Sequence, residues 1–186
     1  MKNKTILAAV LFSITLISCS GSEEKKAETT VTDTVADTGS ANSTGDKTGN
    51  FSFDGKTVTG DMSTQYFGDK EKGNFSVLCQ HNEDSDLSNP NFELLQITFV
   101  NEKDATTNHS LKIYKGGSSL PMTEPEPGIV AISLSGAGNG LGSNEFTGNE
   151  KSTGTIMVAN RRIEIKDLSL FTKEGDKKVI TASLPF

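Results

Sequence analysis

From Phe51 onward the sequence predicts an all-β domain, either an antiparallel β-sandwich or a small β-barrel. Three observations predict it. Apolar residues recur there with a period of two rather than 3.6. Turn-forming residues interrupt these runs at close spacing. No stretch carries a sustained helical period with caps; EKDATTN (102–108) suffices for one turn at most.

The runs follow in order. FSFDGKTV (51–58) places Asp54-Gly55 between two short alternating runs, a hairpin signal. NFSVLCQ (74–80) puts Phe75, Val77 and Cys79 on one face, and FELLQITFV (92–100) does the same with Leu95, Ile97 and Phe99. SLKIY (110–114), GIVAISLS (128–135), TGTIMVA (153–159), RIEIKDLSLF (162–171) and KVITASLPF (178–186) complete the set. Asn160 and Glu174-Gly175-Asp176 supply tight links. The alternation argues for antiparallel sheets with one wet face. The expected core is Phe75, Val77, Leu95, Ile97, Phe99, Ile113, Val130, Ile132, Leu134, Ile156, Val158, Ile163, Ile165, Leu168, Leu170, Ile180 and Leu184.

The residues before 51 read differently. Lys2 and Lys4 precede an apolar run, Ile6 to Ile17, broken only by Ser13 and Thr15. Such a run reaches roughly 18 Å as a helix, short of the ~30 Å hydrocarbon core. It therefore reads as a removable export signal over residues 1–18. Leu16-Ile17-Ser18-Cys19 resembles the lipobox of bacterial lipoproteins. That resemblance implies lipidation of Cys19, cleavage before it, and an acylated new amino end. Two or three acyl chains, with each CH₂ contributing about 0.8 kcal/mol, would hold the protein on a membrane.

Residues 19–50 then form a lipidated cysteine and a tether rich in Ser, Thr, Gly, Ala and charge, with Val31 and Val35 as its only sizeable apolar groups. Too little apolar surface is present to offset ordering entropy, so the tether is expected to be disordered, with an r.m.s. span of about 30 Å. Glu23-Glu24, shortly after the lipid cysteine, resembles the surface-export signals of lipoproteins of the Bacteroidota. Asp33-Thr34-Val35 resembles the three-residue O-glycosylation acceptor of that phylum, which points to Thr34. The final stretch, FTGNEKSTGTIMVANRRIEIKDLSLFTKEGDKKVITASLPF, resembles the ends of small β-rich lipoproteins of the same phylum. These likenesses imply an outer-membrane lipoprotein, and they transfer no active-site residue.

Residues 51–186 are of a size typical of one domain. The chain carries a formal charge of −6. An acidic domain without a basic stripe is a poor partner for nucleic acid or anionic lipid. With Cys19 lipidated, Cys79 stands alone and no intramolecular disulfide is available.

Candidate sites are sparse. In HNEDSDLSNP (81–90), Asp84, Asp86 and Ser88 fall like the first oxygens of a calcium loop. Position 89 is Asn where that loop has glycine, and position 95 is Leu where it has glutamate, so a solvated loop is the expectation. His81 and His109 are the only histidines and lack a metal-ligand spacing. No GxSxG stretch occurs to pair a serine with either. SGAGNGLGSNEFTG (135–148) fails the dinucleotide pattern, because the third glycine position falls on Leu141. It reads as a loop or a sharp bend between strands. LPMTEPEPG (120–128) reads as another loop. No catalytic residue, metal or cofactor is assigned; no His-centred or carboxylate-paired constellation is expected in a concave pocket, and His81 and His109 are not expected to converge with Asp84 or Asp86. The expected function is that of a lipid-anchored cell-envelope protein with a non-catalytic binding or structural β-domain. An envelope hydrolase or metal-dependent enzyme and a lipocalin-like carrier of an apolar ligand are the alternatives.

Overall fold

The computed structural model describes residues 41–70, 73–83, 91–121, 126–138 and 140–186. These all fall within one compact unit. Residues 1–40, which hold the segment read as an export signal, Cys19, Thr34 and most of the segment read as a tether, lie outside the described residues, as do Asp84, Asp86 and Ser88.

The strands are β1 (Ala41–Phe53), β2 (Lys56–Phe67), β3 (Asn74–Asn82), β4 (Phe92–Phe99), β5 (His109–Ile113), β6 (Ile129–Ala137), β7 (Glu145–Thr147), β8 (Thr155–Ala159), β9 (Arg162–Phe171) and β10 (Lys177–Pro185). One helical turn, α1 (Glu102–Thr106), follows β4. Asn101 caps it, its side-chain oxygen accepting from Asp104 N at 2.9 Å. Nine strands close a barrel in the order β1-β2-β3-β4-β6-β5-β8-β9-β10, with β10 pairing back onto β1. The short β7 bridges β6 and β9 beside the β5–β8 pair. Of the two architectures the sequence predicts, the structure is the barrel. Closure leaves no free edge on the nine-strand ring.

Three features depart from the sequence expectation. β1 begins at Ala41, ten residues inside the segment read as tether, with Thr48 paired to Asp61 and Gly49 to Gly60. The period-two signal is silent there because the core-facing position in that register is a glycine. The β5–β6 pairing is parallel rather than antiparallel, spanning Lys112↔Ile129 and Ile113↔Val130. It is carried by Lys112 N to Gly128 O (2.8 Å) and Tyr114 N to Val130 O (2.7 Å). The glycine-rich stretch is more than a bend: it contains β7 and buries Leu141 to 1% exposure.

Every expected core residue is buried except Ile113, which packs half-buried against the rest. Phe51, Phe53, Val58, Met62, Phe146 and Phe186 join them. In RIEIKDLSLF the apolar parity breaks between Ile165 and Leu168, yet both are buried. A bulge absorbs the break. The β9–β10 register shifts between Ile180↔Leu168 and Ala182↔Ile165, and Asp167 takes φ 49. The β1–β2 and β8–β9 links are tight turns with positive φ at both central residues, Asp54-Gly55 and Asn160-Arg161.

The barrel has two unlike ends. At one, α1 and the chain's last residue gather around Tyr66, whose hydroxyl donates to Glu102 Oε2 at 2.7 Å. Its ring lies 5.1 Å from that of Phe75, which in turn lies 6.3 Å from Phe186. Burial pushes the Tyr66 phenol up to about 12, and the Glu102 hydrogen bond and charge add to this; Arg161 opposes it. A phenol raised on folding stabilises the native state fully below its ordinary value of 10.0, and that contribution is lost as pH rises toward about 12. A titration followed by phenolate absorbance is expected to show Tyr66 ionising near pH 12. Glu102→Gln should bring that transition down. An unshifted transition in the variant would remove Glu102 as a cause.

Candidate functional site

The other end of the barrel carries the β1–β2, β3–β4, β6–β7 and β9–β10 connections. Here three inward-facing positions are ionisable instead of apolar. On β3, His81 continues the inward row of Phe75, Val77 and Cys79. On β4, Glu93 continues the row of Leu95, Ile97 and Phe99 and is itself 0% exposed. On β2, Lys56 leads the row of Val58, Gly60 and Met62.

Register brings these groups together. His81 pairs directly with Glu93 across β3–β4. The pairing continues one step past Asn82↔Phe92, with Glu83 N donating to Asn91 O at 3.0 Å. Glu83 therefore projects on the same side as His81. On the far side of β4, Glu93 pairs with Gly136 of β6. A Cβ at Gly136 would overlap Phe92 O and lie 3.5 Å from Glu93 Cα, so glycine is what lets the backbones approach here.

Lys56 Nζ donates to Glu93 Oε1 and lies 3.6 Å from Glu83 Oε1. His81 Nε2 lies 3.9 Å from Glu83 Oε1. Asn91 Nδ2 donates to Glu83 Oε2, which orients that carboxylate. One nitrogen of His81 and one oxygen from each of Glu83 and Glu93 lie within 4.8 Å of one another. Two buried acceptors in this neighbourhood have no hydrogen-bond partner among the described residues, Glu93 Oε2 and Asn91 Oδ1. Leaving a buried acceptor unpaired costs roughly 1–3 kcal/mol, and more when it is charged.

The expectation of no His-centred constellation in a concave pocket, framed on Asp84 and Asp86, missed a different grouping: His81 lies near two carboxylates, Glu83 and Glu93, to which the sequence reading gave no role. The missed signal was parity. Glu93 shares alternation with Leu95, Ile97 and Phe99, and a charge on a core row is unusual. His109 does not join the cluster. Glu93 lies near the start of β4, whereas His109 contacts α1, which follows the end of β4. Its Nε2 is 3.0 Å from Asp104 O and 3.5 Å from Asp104 Oδ1. Gly128 N donates to both Asp104 carboxylate oxygens, at 3.0 and 3.1 Å. That set ties α1 to the start of β6 and exposes no reactive geometry. Cys79 sits in the core, as its alternation implied.

Comparison with protein-family models, with curated proteins and with solved structures finds no match to this chain. Among the described residues no helix is long and apolar enough to cross a membrane.

Proposed function

We propose that the chain is a lipid-anchored protein of the bacterial cell envelope, held at the outer membrane through Cys19, whose barrel is a non-catalytic binding or structural module that works through its surface. The anchoring part rests on Leu16-Ile17-Ser18-Cys19 following a short apolar run. The observation that carries the rest is the packing of the interior. Val77, Leu95, Ile97, Phe99, Ile132, Leu134, Ile163, Leu170, Ile180 and Leu184 project inward from β3, β4, β6, β9 and β10, and each is 0% exposed. A ligand cavity of the usual ~300 Å³ or more would leave such residues with surface that a small probe can touch. The interior is a core, which speaks against carriage of an apolar ligand. A metal-dependent envelope enzyme is the second reading, favoured by the convergence of His81, Glu83 and Glu93.

Cys19→Ser is expected to abolish palmitate labelling and to move the protein out of the membrane fraction. Persistence of the label, or a mature amino end elsewhere in the wild type, would refute the anchor. A fluorescent fatty-acid probe should show no saturable one-to-one binding to the wild-type chain. Saturable binding would restore the carrier.

A further inference from the structure

We infer that His81, Glu83 and Glu93 form a binding site for a divalent transition-metal ion of the zinc class, with Lys56 as the charge that occupies the seat when metal is absent.

The donor set is one imidazole nitrogen and two carboxylates, contributed by β3, by the residue that follows it and by β4. Such a mixed N/O set suits zinc and its first-row neighbours. Calcium takes six to eight oxygens, and three protein donors with one nitrogen do not provide them. In a tetrahedral site with bonds of about 2.0–2.2 Å the donors stand roughly 3.4 Å apart. The three donors here lie within 4.8 Å of one another, and His81 Nε2 and Glu83 Oε1 are already at 3.9 Å. Closing the difference calls for rotamer changes of these side chains.

Proximity of acidic groups alone would not define a site. The independent sign is Glu93, which is 0% exposed and has one oxygen on Lys56 and the other without a donor among the described residues. A buried carboxylate oxygen without a donor is the group a cation satisfies. Lys56 neutralises only part of the charge. Two glutamates, Glu83 and Glu93, face this one lysine. The side chains of Lys56, His81 and Glu83 are 34%, 35% and 39% exposed, so metal has access from solvent and Lys56 has room to swing out. Asn91, by holding Glu83 Oε2, acts as a positioning residue. The inference stands whether the metal braces the β3–β4 end of the barrel or reacts there, because three protein ligands leave a fourth position open.

The test uses the full-length chain, purified without a histidine tag and stripped with a chelator. ZnCl₂ titrated calorimetrically should bind one-to-one and raise the thermal midpoint; CaCl₂ should do neither. CoCl₂ should give visible d–d absorption. His81→Gln, a half-exposed change that leaves the core intact, should weaken zinc binding about tenfold or more, as should Glu93→Gln. Lys56→Met should tighten it and enlarge the zinc-dependent rise in midpoint. His109→Gln should leave it unchanged. Absence of saturable zinc binding in the wild type would overturn the site, as would zinc affinity unchanged by both His81→Gln and Glu93→Gln.

Discussion

Gly60→Val is expected to destabilise the domain by upwards of about 3 kcal/mol, and Gly60→Ala by about 1–3 kcal/mol. Gly60 faces the interior of β2 and pairs with Gly49 of β1. A Cβ at Gly60 would stand 2.7 Å from both the carbonyl carbon and the oxygen of Gln80, and 3.0 Å from Cys79 Sγ. Gln80 is paired to Leu94 of β4, so its backbone has no room to retreat without breaking the ladder. Against a typical total of 5–15 kcal/mol, the valine variant forfeits much of the fold's stability. The control is Gly55→Asn. Gly55 has φ 77 and open space around it, and Asn tolerates that conformation. Denaturant midpoints should fall far more for Gly60→Ala than for Gly55→Asn. Equal midpoints would mean that β2 and β3 do not pack as described.

Native Cys79 is expected to react with thiol reagents at least about a hundredfold more slowly than the same residue in the unfolded chain. Its thiol is pushed from 9.0 to about 11, chiefly by burial, with the Gly60 and Gly49 backbones pulling weakly the other way. That change alone lowers the thiolate fraction near pH 8 about a hundredfold, and the side chain is 0% exposed besides. The sign for stability follows. An acid whose pKa is raised on folding stabilises the native state fully below its unfolded value, so this contribution holds below pH 9.0 and is lost as pH rises toward about 11. Measured in a Cys19→Ser background, where Cys79 is the sole thiol, native and unfolded rates that coincide would remove it from the core.

Most strands were legible because one side of each is a row of apolar residues against solvent on the other. Phe75-Val77-Cys79 and Leu95-Ile97-Phe99 are such rows, and all six are at 0–1% exposure. The bulge in β9 was also present in the sequence, as the lost parity between Ile165 and Leu168. What alternation does not encode is which strand neighbours which. The parallel β5–β6 pairing depends on where the 114–128 crossover lands, and β7 is three residues long, too short to show a period. The His81–Glu83–Glu93 cluster was half legible. The parity of Glu93 marked it as inward, but its meeting with His81 required the β3–β4 register, which depends on a connection nine residues long.

Closure of the barrel by β1 and β10 has a consequence for how the fold is reached. The pairs Asn50↔Ser183 and Phe53↔Ile180 join opposite ends of the domain's sequence. Contacts of such separation raise contact order, and all-β chains dominated by them fold on the millisecond-to-second scale. A chain that emerges amino end first therefore holds β1 with one unpaired border until its final residues follow. During that interval the nascent sheet is a template for pairing with other chains, and the late arrival of β10 covers that border by closing the nine-strand ring.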